Sequence, residues 1–537
     1  MTHDLNAAVR SDRDENIGAS SGVRVTASGS LLQYAPALVL LAIAVADFAR
    51  YADTDLWGHV LFGEAAIRLR GMTLSDPYSY SAAGHIWLHH EWLSEVLMGG
   101  VYSLFGMVGL KLLKLICSAT VILMLTAAEG ETGAPLVVQF AVLIAAAFAV
   151  APQMQFRPQM FTFAFVAALM AGLTRDNCGR AAPLWLAIPG LAVWANLHGG
   201  FFIGIVMLGV YTVVVGIQDF AARRGMARTI RLAALTMAGT YATLLTPFRL
   251  EGWFIVAHSL TNPMTRHVVA DWLPLMAVVA GQLHGSHTGI SFLICALALL
   301  GAAALSFLLT PRGGDLPLVA IAAVMTVAAF LSVRNLALAV ITASVPLTRH
   351  LGLLFAGVYG PGSNKNGGSP QRLSRPTQLI IGALAMVLAL GSGLFSSSLP
   401  AAANYPAGAV AFMKANELHG DILNYFSWGQ YLIWHMAPQS KVFIDGRFDL
   451  VYPPQVITDY LDFYNAKPDA KRVLELYRHD FVLIPPDAPV YAFMSAQKEW
   501  KRIYLDDNAA LLVRAGSAGA KLAPVVVDGP IRRSYFP

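Results

Sequence analysis

The stretch LQYAPALVLLAIAVADFARYADTDLWGH, residues 32–59, decides the class of this protein. Residues 32–49 are almost wholly apolar and close to the roughly 20 residues that a helix needs to cross a bilayer. The run begins too late for an ordinary cleaved signal peptide. No small-x-small cleavage site follows it, so it reads as an uncleaved first span. Directly after it come two carboxylates, Asp53 and Asp55, and an imidazole, His59.

The rest of the chain fits that opening. Of 537 residues, 56% are hydrophobic and 13% charged, with a mean hydropathy of +0.56. Soluble domains carry about 25% charged residues, so much of this surface faces something other than water. Further apolar stretches run over 108–128, 134–152, 158–174, 182–196, 200–218, 230–247, 289–309, 316–333, 336–356 and 377–397. Counting the first, the expectation is a polytopic α-helical bundle of about 11 spans, with a range of about 11–13. Residues 1–30 are polar and of mixed charge and read as a cytoplasmic tail. Cys117, Cys178 and Cys295 lie in or beside apolar runs, with no disulfide framework or zinc spacing.

Charge bias orients the bundle. Arg175 and Arg180, then Arg223, Arg224, Arg228 and Arg231, then Lys365, Arg372 and Arg375 mark three cytoplasmic loops. The formal charge of +5 sits in such short loops, so it reports topology and calls for no nucleic acid. The numbers close if the short apolar segment 92–106 lies in the interface. The alternative is a crossing there and a miscounted helix elsewhere. On the first reading, the loop 51–106, Arg157, Asn196, His198, the loop 247–288 with Asp271, Arg334, Asn335 and everything after 398 share the non-cytoplasmic face. Polar groups at membrane depth are costly and tend to mark function.

Residues 31–398 therefore form the transmembrane domain and 399–537 a small α/β domain outside the cytoplasm. Past Ala401 the apolar runs shorten to strand length, at 422–426, 441–445, 481–485, 501–506 and 509–514. Helical stretches at 429–436, 454–465, 470–479 and 490–497 alternate with them.

Four groups of residues could carry chemistry. Asp53 and Asp55 precede an amphipathic helix with Trp57, Val60, Leu61 and Ile67 on one side, which would lie in the interface and hold a carboxylate at headgroup level. There it could accept a proton, or grip a Mg or Mn ion bound to a phosphate. The plainer reading is that Asp53 or Asp55 caps the helix, with His59 on its wet face. His85, His89, His90 and Glu91 interleave with Trp87 and Trp92. Adjacent His cannot easily face one metal on a regular helix, so substrate contact or headgroup packing competes with zinc. Arg157 and Arg334 sit on the side where Arg is disfavoured, and a guanidinium suits phosphate; with Asn196 and His198 they cap, snorkel or bind substrate. Finally, Trp428-Gly429-Gln430-Tyr431 and Asp445-Gly446-Arg447 place polar groups at a strand tip, where α/β sheets bind ligands; the competing reading is a turn fixed by Gly446. No nucleotide-binding loop or nucleophile elbow is present.

A first span, an acidic pair in the first external loop, interfacial helices and an external C-terminal domain resemble the C-type membrane glycosyltransferases. That group includes the protein O-mannosyltransferases, the lipid A aminoarabinose transferases and the oligosaccharyltransferase catalytic subunits. Asp53-Thr54-Asp55-Leu56-Trp57-Gly58-His59, Arg157-Pro158-Gln159 and Asn196-Leu197-His198 look like a group of bacterial membrane glycosyltransferases. Phe426–Tyr431 is similar to the Trp-Trp-Asp-Tyr-Gly region of oligosaccharyltransferases, but Ser427 stands where that motif has Asp, so its acceptor recognition does not carry over. The resemblance implies a polyprenyl-phosphate-linked sugar donor, a cell-envelope acceptor, a bacterial plasma membrane and a first-loop acid acting on acceptor or metal. That role falls on Asp53 or Asp55, with Arg157 or Arg334 on the donor phosphate. His59, His89, His90, Glu91, Asn196, His198, Asp271, Trp428, Asp445 and Arg447 are the candidate substrate contacts.

Two other classes stay open: a transporter or flippase for a lipid-linked glycan, and a non-catalytic envelope scaffold. Nearly charge-free mid-span positions and the lack of two-half symmetry weigh against the transporter. A deep external cavity with Asp53 and Asp55 at its floor would favour the enzyme, and a plugged one the scaffold.

Overall fold

The computed structural model describes residues 35–48, 51–284, 290–310, 314–359, 383, 387, 396–401, 404–528 and 534–537. The expected tail at 1–30 and nearly all of the expected span at 377–397 lie outside the described residues. The other apolar stretches fall on helices. α1 covers Ala35–Phe48, α2 Leu56–Leu69 and α3 Trp92–Gly130. Further helices cover Leu136–Val150, Gln159–Asn177, Ala187–Leu197, Phe201–Ala221, Ala227–Ala242, Ile290–Leu309, Leu316–Leu331 and Leu336–Tyr359. Among the described residues, five helices are long and apolar enough to cross a membrane, and three shorter apolar ones accompany them. Residues 336–348 of the helix Leu336–Tyr359 are all buried. Accordingly its sequence, LALAVITASVPLT, is apolar or small on every side rather than along one stripe.

Residues 92–105 are helical and continue into the next span, but Gly106 breaks α3 with φ 60° and ψ −149°. That region of backbone space is open essentially to glycine alone. Residues on the near side of the break pack on α2.

The C-terminal part carries strands β1 (Leu399–Pro400), β2 (Asp421–Asn424), β3 (Lys441–Val442), β4 (Phe481–Ile484), β5 (Trp500–Leu505), β6 (Ala510–Arg514), β7 (Val525–Val526) and β8 (Tyr535–Phe536). Six form one mixed sheet in the order β3-β2-β4-β6-β5-β7. β4 is buried at every position and β6 at all but its last, as strands covered on both faces must be. The helices are Ala407–Ala415, Gly429–Met436, Pro454–Tyr464, Lys471–Leu476 and Pro489–Ser495. The first of these was not expected.

The apolar side of α2 faces this domain. Trp57 and Val60 are wholly buried, and the Trp57 ring lies 4.7 Å from Tyr405, 5.5 Å from Tyr431 and 5.3 Å from Phe536. Ile67, grouped with them by periodicity, is 45% exposed. The first loop is also stitched to the sheet edge. Tyr80 donates its N–H to the Val442 carbonyl at 3.2 Å, and Val442 donates to the Tyr78 carbonyl at 3.1 Å. One continuous core thus joins α2, the first loop and the sheet, beside a second core inside the helical bundle.

Candidate active site

Asp53 and Asp55 divide the work of starting α2. The Asp53 carboxylate accepts the Asp55 N–H at 3.0 Å. Asp55 occupies the N-cap position, yet its side chain caps nothing. Its carboxylate instead reaches the Arg157 guanidinium, 3.1 Å away. Arg157 comes from the turn between the helices Leu136–Val150 and Gln159–Asn177. Its Nε bonds Asp53 at 2.6 Å and its Nη1 bonds Asp271 at 2.7 Å. Three carboxylates from two distant segments therefore surround one guanidinium. Burial pushes the Asp55 carboxyl up to about 6, against the Arg157 charge that pulls it down. Burial works against the Arg157 charge too, but the carboxylates hold its pKa well above the ordinary value.

Arg334 is placed differently. It lies in the short turn Val333–Asn335, over the Trp272 ring at 4.3 Å. It makes no ion pair among the described residues. Gln153 braces this turn by donating to the Val333 carbonyl at 2.9 Å and accepting the Ala337 N–H at 3.0 Å.

Imidazoles and glutamates alternate on another wall. Glu95 lies 3.6 Å from His59 and 3.2 Å from His89. Glu91 lies 3.7 Å from His90 and 3.5 Å from His198. Burial lowers the His59 pKa, but Glu95 and Glu91 more than reverse that and leave it raised. His198 is driven down to about 4 by burial. Its Nδ1 accepts the Gly200 N–H at 2.9 Å and contacts the Thr162 hydroxyl at 2.8 Å, and that hydroxyl already accepts the Trp194 indole N–H. An occupied Nδ1 acceptor leaves the proton on Nε2, so His198 offers a fixed N–H donor.

The C-terminal domain closes the remaining side. Gln430 Oε1 accepts the Gly58 N–H at 3.1 Å in the first turn of α2. Gly446 packs against Asp55 so closely that a Cβ there would stand 2.1 Å from Oδ1. Arg447 makes buried bonds to Asp445 at 2.6 Å and to Asp76 at 2.7 Å, with Trp87 stacked 4.4 Å from its guanidinium.

Between these walls lies a cavity of about 280 Å³. Asp55, His59, His89, His90, Glu91, Arg157, His198, Asp271, Arg334 and Arg447 all line it. Asp53 stands behind Arg157. Asn196, Trp428 and Asp445 are not lining residues. Asn196 accepts the Trp92 indole N–H at 2.8 Å and donates to the Leu245 carbonyl at 2.9 Å, a brace between segments. Trp428 is buried and donates to the Asn404 carbonyl at 2.9 Å. Asp445 sits beneath Arg447. The candidate set omitted Asp76, Glu95, Gln153, Thr162, Trp272 and Tyr452. Nothing local marks Asp76 as the partner of a residue 371 positions away. Among the described residues no group of three or more His, Cys, Asp or Glu is arranged to hold a metal ion.

No family model and no curated protein matches the sequence. Solved structures do. The archaeal oligosaccharyltransferase AglB from Archaeoglobus fulgidus, in complex with an inhibitory peptide and a dolichol-phosphate, superposes with a TM-score of 0.53 at 12% identity, over 85% of this chain and 70% of that one. The two chains share a fold. The arabinofuranosyltransferase AftD from Mycobacteria superposes with a TM-score of 0.52 at 14% identity, over 91% of this chain but only 40% of its own. At such identities the likeness carries the fold alone, while the chemistry rests on this chain's own residues.

Proposed function

We propose that this chain is a membrane glycosyltransferase that moves a sugar from a polyprenyl-phosphate-linked donor to a cell-envelope acceptor. On this reading about 11 spans cross a bacterial plasma membrane. Residues 31–398 form the transferase domain, and 399–537 cover its site from the non-cytoplasmic side. One observation carries the proposal: a carboxylate, Asp55, and a cation without an ion-pair partner among the described residues, Arg334, line the same cavity on one C-type fold.

Asp55 takes the proton of an acceptor hydroxyl. The freed oxygen attacks the anomeric carbon, the bond from that carbon to the phosphate oxygen breaks, and the lipid phosphate leaves with the electron pair. Arg334 holds that phosphate and offsets its charge, the kind of electrostatic aid often worth several kcal/mol. Arg157, already bonded to three carboxylates, orients the base. The fixed His198 N–H faces Glu91 at 3.5 Å, and the pair together would hold a sugar hydroxyl.

The test is transfer of labelled sugar from a panel of polyprenyl-phosphate sugars by purified protein, beside Asp55→Asn and Arg334→Ala. Transfer in the wild type and its loss in both variants is the expected result. Full transfer by Asp55→Asn would end the proposal. Absence of transfer from every donor would shift weight to movement of lipid-linked glycan across the bilayer.

A further inference from the structure

Three carboxylates that converge on a partly buried point need a cation, because each raises the cost of ionising the others. A divalent metal and a guanidinium are the two usual solutions, and they demand different geometries. A Mg ion needs its oxygens at about 2.1 Å from one point. A guanidinium fans them around a planar fork, one or two to each nitrogen.

The Arg157 cluster has the second geometry. Nε takes Asp53 at 2.6 Å, Nη2 takes Asp55 at 3.1 Å and Nη1 takes Asp271 at 2.7 Å. Each nitrogen serves a different carboxylate, so the three oxygens are spread across the fork and share no common centre. The nearby imidazoles gather around two other carboxylates, His59 and His89 beside Glu95 and His90 and His198 beside Glu91, and among the described residues no group of three or more His, Cys, Asp or Glu is arranged to hold a metal ion. We infer that Arg157 is the resident cation of this site, standing where a divalent metal would otherwise be gathered, and that the site works without one. The purpose of the cluster rests on the transferase reading; what the cluster holds does not.

An electron paramagnetic resonance titration of the purified full-length chain with Mn²⁺ reads this without any assay of transfer. The wild type is expected to bind no stoichiometric Mn²⁺. Arg157→Ala, which leaves the carboxylates without their cation, is expected to gain such a site, and Asp55→Asn added to it to lose the site again. Stoichiometric Mn²⁺ on the wild type, abolished by Asp55→Asn, would overturn the inference. So would a monodisperse Arg157→Ala that takes up none. Where a donor is found, transfer is expected to be the same in chelator and in Mg²⁺; loss in chelator restored by metal also overturns it. If no donor is used at all, the transferase reading fails while the Mn²⁺ titration still decides this one.

Discussion

Arg157 and Arg447 both hold carboxylates brought from far along the chain. The Arg157 side chain is 22% exposed, and its partners Asp53, Asp55 and Asp271 are 11%, 22% and 50% exposed. The Arg447 side chain is 5% exposed, and Asp76 and Asp445 not at all. The first cluster opens to the cavity and holds three negative charges against one positive. The second borders the cavity only through Arg447 and keeps both carboxylates buried, caged by Trp87 and closed by a hydrogen bond from the Tyr452 hydroxyl to Asp445 at 2.6 Å. Similar chemistry thus serves two ends. The half-exposed cluster is placed to exchange protons with the cavity; the buried one is a fixed joint between the first loop and the sheet.

The largest expected effect lies at the buried joint. Arg447→Ala strands two buried carboxylates and is expected to cost about 3–5 kcal/mol of stability. Thermal unfolding and proteolysis of the C-terminal domain would show it. Arg157→Ala should lower the melting temperature far less, and equal losses in the two variants would erase the distinction drawn above. Asp55→Asn should cut transfer by roughly 10²–10⁴-fold, the usual worth of a general base, with the melting temperature held. Gly446→Ala sharpens the contrast, since its new methyl reaches the wet cluster while leaving Arg447 in place. Displacement of Asp55 predicts a transfer loss of roughly 10–100-fold, visible in kcat more than in donor KM. An unchanged kcat would mean that Asp55 is not held by this contact.

Acidification should separate the two clusters with the smallest effect. Asp55, raised to about 6 by burial, accepts a proton only while ionised, so transfer should rise with pH through about 6 and level off above it. Between pH 7 and pH 5 the expected fall is about tenfold. Asp445 responds in the opposite sense. Burial alone would raise its pKa, but Arg447 and Tyr452 more than reverse this and hold it below the ordinary carboxylate range. A carboxyl depressed in the folded state stabilises above its unfolded-state pKa, and that stability is lost only as pH falls through the folded value. The joint should therefore stay closed across the window in which transfer falls. A pH profile of transfer beside one of melting temperature tests both statements.

Periodicity located the helices because each span must satisfy its own backbone in lipid, whatever lies beside it. The helix Gly429–Met436 and strand β4 were legible for a related reason: their apolar runs and flanking turns are local. Partners were less legible. Trp57 and Ile67 share one helical stripe, yet one is buried under Tyr405 and the other is exposed, because the C-terminal domain covers only the first turns of α2. Asn196 belonged to a suggestive motif, and its amide spans a gap between Trp92 and Leu245. Asp53 and Asp55 were indistinguishable by spacing. In the fold, Asp53 receives the backbone N–H at the helix start and Asp55 is left for the cavity.

By itself the sequence determined a chain of membrane-spanning helices ending in a small mixed α/β part, since hydropathy and strand-length runs are properties of neighbours in the chain. It also named most of the charged residues and histidines that line the cavity, because such groups beside apolar spans are rare enough to stand out. Only the tertiary structure decided what each does. Arg157 meets Asp53 across 104 positions and Asp271 across 114, and Arg447 meets Asp76 across 371. Whether a guanidinium is left open, shared among three carboxylates or sealed between two depends on which distant segments the packing of helices and sheet brings within about 3 Å, the reach of a hydrogen bond.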